Sequence, residues 1–129
     1  MEIQPKQPTA MGDAALFVGD VYIDRIATDP GNVRVNVVRF APGARNAWHA
    51  HALGQWLHVT DGIGRTQTRG GELVEIRTGD TVHVGPGEWH WHGAAPDHFM
   101  THLAMWEAPA EGTESEWGSQ VSAAEYDPK

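Results

Sequence analysis

The 129-residue chain contains no cysteine. Disulfide staples, thiolate nucleophiles and cysteine-ligated metals are therefore excluded, although this absence does not by itself identify a redox compartment. Basic residues are scarce as well: 9 Lys and Arg stand against 17 Asp and Glu, giving a formal net charge of −8. So acidic a chain lacks the electrostatic footprint of a nucleic-acid binder. No apolar run approaches the ~18 residues of a membrane span, and Met1–Gly12 carries no apolar signal-peptide core. The expectation is a cytoplasmic protein with no nucleic-acid or membrane partner. A length of 129 residues suits one domain, here 1–129, with no room for a fused DNA-binding module.

What the chain does have is turn chemistry at short intervals. Met1–Gly12 is polar, contains Pro5 and Pro8, and reads as an N-terminal arm. Phe17–Ile26 has period-two apolar character and reads as a strand, ended by the turn Asp29-Pro30-Gly31-Asn32. Val33–Phe40 is rich in β-branched residues and is the next strand. Turns at Ala41-Pro42-Gly43, Asp61-Gly62, Arg69-Gly70-Gly71 and Thr78-Gly79-Asp80 separate further strands, including Leu73–Arg77 and Thr81–Val84. Phe99–Glu107 is the last long strand, and 110–129 forms an acidic tail with Trp117, Val121 and Tyr126 as its anchors. Short strands with turns between them, and no helical pattern before residue 110, point to an all-β barrel or sandwich.

Four residues carry metal-ligand spacing. His49 and His51 are two apart, so a strand projects both imidazoles to one face. Gln55 follows four residues later, and His90 closes a second glycine-punctuated segment, GDTVHVGPGEWH. Three imidazoles and an amide oxygen can converge on one ion. They leave its full 2+ charge uncancelled, which favours Lewis-acid and proton-transfer chemistry over O₂ chemistry. Nitrogen and oxygen donors with open positions suit Mn²⁺, Fe²⁺, Ni²⁺ or Zn²⁺.

Residues 43–62 resemble the first motif of the cupin family, G-x5-H-x-H-x3-(E)-x6-G, with Gln55 where glutamate is commoner. Residues 79–90 resemble its second motif through Gly79, Gly87 and His90. Gly85 replaces a proline that here comes one residue later, and Ala94 stands where the family has asparagine. The resemblance implies a double-stranded β-helix, the jelly-roll barrel, spanning about 34–107. The segments HAHALGQ, GPGEWHWHGAAP and MTHLA are more specifically similar to the manganese-dependent hydroxynitrile lyases among the small bacterial cupins. That likeness implies Mn²⁺ as the cofactor and a small-molecule substrate, either an aromatic cyanohydrin or an aldehyde plus cyanide. It also implies metal-dependent cleavage of the cyanohydrin to the aldehyde and cyanide. Another cupin reaction (isomerase, polyketide cyclase or dioxygenase) and a non-catalytic binding cupin are the alternatives.

Parity assigns the barrel lining. With Gln55 inward, Leu57 and Val59 point in, while Trp56, His58 and Thr60 point out. Arg39 belongs outside, which turns Asn36, Val38 and Phe40 inward. In Phe99–Glu107, parity allows either Met100, His102, Ala104 and Trp106 or the alternate set to line the interior; the lyase resemblance selects the set with His102. Asn36, Val38, Phe40, Leu57 and Trp106 are thus the expected pocket residues. His102 first and His92 second are the candidates for proton transfer, since an imidazole titrates near neutrality. Six tryptophans are many for this length. Trp48, Trp89 and Trp91 flank the ligands, either as an apolar pocket wall or, for Trp48 and Trp56, as an outer face buried in a homo-oligomer (dimer or tetramer).

Overall fold

Period-two runs of β-branched residues give this chain strands and almost nothing else. In the computed structural model, which describes residues 1–129, the elements follow in order. They are β1 (Ala10–Met11), β2 (Phe17–Val18), β3 (Val21–Ala27), β4 (Val33–Phe40), β5 (Arg45–Asn46), β6 (His49–His51) and β7 (Gln55–Thr68). Next come β8 (Val74–Arg77), β9 (Thr81–Val84), β10 (His90–Ala94), β11 (Met100–Glu107), β12 (Ser115–Trp117) and the helix α1 (Ala123–Tyr126). The strands form one curled sheet along the path β1-β3-β4-β11-β7-β10-β5-β2, the all-β jelly-roll barrel expected from the sequence. No helix is long and apolar enough to cross a membrane.

One strand turns the corner between the two halves. The first part of β7 pairs with β11 and β9, and its later part pairs with β8 and β10. Asp61-Gly62, expected to end this strand, instead lies within it. Gly62 adopts φ +88, and a Cβ there would run into the Phe99 carbonyl. Opposite it, the β11 register shifts between Thr101 and His102, a bulge that bends the pair. The bend also inverts parity: Gln55, Leu57 and Val59 are buried before it, Gly64 and Thr66 after it. Trp56 and Thr60 are exposed, as parity requires.

Two other expectations change. Phe17–Ile26 is two strands, β2 and β3, because the chain turns at Gly19-Asp20. The N-terminal arm also contributes an edge strand, since Ala10 and Met11 pair with Ile23 and Tyr22.

The interior core contains Val21, Val38, Phe40, Leu57, Val59, Ile76, Met100 and Ala104. In β11 the buried set is Met100, His102 and Ala104, which resolves the choice that parity left open. A second apolar cluster lies outside the barrel wall and joins Trp48, Trp91, Val121 and Tyr126, with Leu73 and Trp89 packed on it. Trp48 and Trp91 therefore neither wall the interior nor await another subunit, because the chain's own tail covers them. That tail is held by Arg45, whose Nη2 donates to the Val121 carbonyl at 2.8 Å. A capping box between Ser122 and Glu125 starts α1 and brings Tyr126 down onto Trp91.

Candidate metal centre

His49 and His90 are directly opposed on the antiparallel strands β6 and β10. His51 lies one pleat further along β6, and Gln55 returns to the same point after the turn closed by the Gly54 N–H on the His51 carbonyl. The ligand atoms of His49, His51 and His90 all lie within 4.8 Å of one another. Gln55 Oε1 is 3.0 Å from His90 Nε2. All four residues are buried.

Each ring is fixed through its far nitrogen. His49 Nδ1–H donates to the Ala47 carbonyl at 2.7 Å, and His90 Nδ1–H donates to the Glu88 carbonyl at 2.9 Å. His51 Nδ1 lies 2.9 Å from Ser115 Oγ. These contacts direct the Nε2 lone pairs towards a common point, the arrangement that orients metal-binding histidines. His51 Nε2 is buried without a hydrogen-bond partner, a cost that coordination would relieve. Burial and the neighbouring imidazoles push the pKa of His49 well below its usual value, and burial followed by His90 takes His51 to about 4. Burial also lowers His90. Neutral imidazoles with free lone pairs are the form a metal requires, so the donor set fits a divalent ion.

The centre opens onto a cavity of ≈ 590 Å³. Asn46, His49, His51, Gln55 and His92 form its polar floor. Phe17, Ile23, Val38, Ala104, Trp106 and Trp117 supply apolar wall, while Asp13, Arg25 and Glu114 are also in the lining. Of the expected pocket residues, Asn36, Val38 and Trp106 line this cavity. Phe40 and Leu57 do not. Leu57 packs in the interior core, and Phe40 sets its ring 5.2 Å from that of His102. They point inward as parity requires, but one layer below the cavity.

The two further histidines form a chain leading away from the cavity. His92 is in the lining, and His102, fully buried, lies behind it with Nε2 2.9 Å from His92 Nδ1. Asn46 Nδ2 lies 3.1 and 3.2 Å from the two ring nitrogens of His92. Because His102 already engages Nδ1, the amide N–H donates to Nε2. The His92 main-chain N–H is held in turn by Asn46 Oδ1 at 2.9 Å. With the Asn46 amide on Nε2, His92 carries its proton on Nδ1 and donates it to His102 Nε2, an arrangement that leaves His102 Nδ1 buried without a partner. Burial lowers the pKa of His92 well below normal and that of His102 to about 4, so both are neutral near pH 7.

The remaining histidines are elsewhere. His83 is exposed on β9 with its ring 4.4 Å from that of Trp56. His58 pairs with the Thr81 hydroxyl, and His98 contacts the Phe99 carbonyl. Three contributors escape sequence reasoning. Asn46 lies inside the first motif but off the His49 parity. Trp117 is legible only as a tail anchor, yet it stacks on His49 at 4.7 Å. Ser115 leaves no local signal, because its partner is 64 residues away.

Residues 36–105 match the Cupin domain family. The chain is 48% identical over 122 residues to an (R)-mandelonitrile lyase of Granulicella tundricola, covering 93% of this chain and 92% of that protein. A solved cupin-like protein from Thermotoga maritima superposes with TM-score 0.86 at 36% identity, covering 98% of this chain and 95% of the other. The polyketide cyclase of Streptomyces resistomycificus superposes with TM-score 0.65 at 16% identity over 82% of this chain and 75% of its own, a likeness of fold alone.

Proposed function

This chain belongs to the cupin family, and from that premise we propose that it is a metal-dependent hydroxynitrile lyase. It cleaves an aromatic cyanohydrin to an aldehyde and cyanide and runs the reverse addition. The observation that carries this reading is a neutral imidazole, His92, facing the same cavity as an all-neutral ligand set. His49, His51, Gln55 and His90 hold the ion, with Mn²⁺ first and Fe²⁺, Ni²⁺ or Zn²⁺ compatible with the same donors. Bound there, the ion supplies a Lewis acid that polarises the substrate and stabilises developing negative charge.

The chain's own residues do the rest. His92 Nε2 accepts the hydroxyl proton, displacing the Asn46 amide from that lone pair. The oxygen electron pair forms the carbonyl as the carbon–cyanide bond breaks, and cyanide leaves with the bonding electrons. His102 Nε2 accepts the Nδ1–H of His92 throughout, so it holds the tautomer and stabilises the positive charge that forms. The proton on His92 is then available to cyanide. His102 is thus a positioning residue acting through His92, the reverse of the order expected from the sequence, because His92 stands between it and the cavity. Val38, Trp106 and Trp117 offer an apolar wall to the aromatic ring.

The same reading includes a homo-oligomer. Trp56, 52% exposed, is paired with Met105, which pairs in turn with Val35, an apolar stripe on the outer face suited to a second copy. The deciding experiment is elemental analysis of purified protein, coupled to mandelonitrile cleavage before and after chelation. Chelation-sensitive cleavage without O₂ consumption supports the lyase. Metal-loaded protein that binds aromatic ligands and converts none would instead be a binding cupin.

A further inference from the structure

Two of the three Nδ1 anchors are main-chain carbonyls within the barrel, Ala47 and Glu88, each two residues before its histidine. The third differs in kind and in origin. His51 is met by the side chain of Ser115, in a strand that lies beyond the family-matched residues 36–105. β12 runs antiparallel to β6 with Ser115 opposite His51 and Trp117 opposite His49. One register therefore delivers the hydroxyl to one ligand and lays the indole over the other, at an interplanar angle of 25°. Glu114, the preceding residue, accepts the Trp106 Nε1–H at 2.9 Å and pairs with Arg34 at 3.5 Å. Glu114, Ser115 and Trp117 all line the cavity.

The chemistry of the anchors differs too. A carbonyl oxygen only accepts, so it admits one tautomer of its histidine. A hydroxyl accepts or donates, so Ser115 suits either tautomer of His51. When His51 Nε2 gives its lone pair to an ion, Nδ1 carries the proton, and Ser115 Oγ is its acceptor.

We propose that Ser115 is a positioning residue of the metal centre, and that β12 belongs at once to the outer shell of the ion and to the substrate cavity. The proposal rests on the metal reading given above. Without the hydroxyl, the His51 N–H is buried with no acceptor whenever Nε2 is ligated, so the penalty falls on the metal-bound state. The coupling is reciprocal: an ion held by His51 secures β12, and a secured β12 favours the ion.

The test uses the full chain, stripped of metal and titrated calorimetrically with Mn²⁺ and, separately, Zn²⁺. Wild type is compared with Ser115→Ala and Ser115→Thr, and amide hydrogen exchange of residues 113–117 is followed with and without Mn²⁺. Ser115→Ala should bind roughly 10–100-fold more weakly, and Ser115→Thr should recover to within about threefold of wild type. Mn²⁺ should slow exchange across β12 in wild type and do so less in Ser115→Ala. Equal affinity of wild type and Ser115→Ala overturns the role of Ser115 while leaving the metal centre intact. A Ser115→Thr variant as weak as Ser115→Ala assigns the effect to packing and overturns it as well. Wild type that binds neither ion overturns the metal reading, and this proposal with it.

Discussion

Acid should destabilise the metal-free protein, and a defined part of that loss belongs to His102. Burial takes this imidazole from the usual 6.5 to about 4. The unfolded chain therefore binds a proton at this position from about pH 6.5 downward, and the folded chain does so only near about pH 4. Between those values the unfolded state holds more protons, so stability present above about pH 6.5 is lost as pH falls. Working the linkage through, His102 alone removes about 2 kcal/mol by pH 5 and about 3 kcal/mol by pH 4. Against a total stability of roughly 5–15 kcal/mol for a domain, that is large. The assay is urea unfolding of chelator-treated protein across this range, comparing wild type with His102→Gln, whose amide remains polar but does not titrate. The variant should be less stable near neutrality because it disturbs the His92 contact. Its stability should nevertheless fall less steeply, by up to about 1.4 kcal/mol per pH unit, the equivalent of one proton. His49 and His92 titrate in both proteins, but His102 lowers both, so the difference between the curves reports His102 together with its coupling to them. Parallel curves would refute the argument.

Other consequences can be checked directly. His49→Ala, His51→Ala and His90→Ala should each lose most bound metal by elemental analysis while retaining strand-type circular dichroism, since the apolar cluster of the barrel is built from other residues. Gln55→Glu adds a negative charge beside the ion, so metal should bind at least as tightly while mandelonitrile turnover falls; unchanged turnover would contradict the charge argument. His92→Ala should cost roughly 10²-fold or more in turnover with metal retained, and His102→Ala should cost less if it acts through His92. A larger loss at His102 would reverse the two roles. Trp56→Lys should shift the mass measured by light scattering towards the monomer, and an unchanged mass would place the oligomer contact elsewhere.

Local pattern made the strands and the convergence of His49, His51, Gln55 and His90 legible, because period two and motif spacing are short-range properties. Val33–Phe40 and Thr81–Val84 agree residue for residue with β4 and β9. The misreadings share one cause, which is contact between distant segments. Asp61-Gly62 carries a turn signal, yet pairing on both sides continues the strand through it. Trp91 reads as pocket wall and Trp48 as pocket wall or oligomer face, and only the return of Val121 and Tyr126 covers them. Phe40 and Leu57 have the expected facing but the wrong depth, since parity gives direction and not distance from the mouth. His102 behind His92, and Ser115 beside His51, are relations of register between strands that no spacing along the chain encodes.

The double burial of β6 and β10 limits substitution there. His49, His51 and His92 face the cavity while Trp48 and Trp91 are clamped from behind by the tail, so substitution on either face of these strands disturbs a packed contact. The opposite wall, built from β3, β4 and β11, is not covered by the chain's own tail, and its outer face carries the Val35 and Met105 part of the stripe proposed to meet a second copy. Ile23, Asn36, Val38, Ala104 and Trp106 reach the cavity from strands whose reverse sides carry the Asp24–Arg39 ion pair and the exposed Glu107. Cavity-facing substitutions on β3, β4 and β11 therefore disturb no contact with the tail, whereas those on β6 and β10 fall among His49, His51, His90 and the clamped tryptophans.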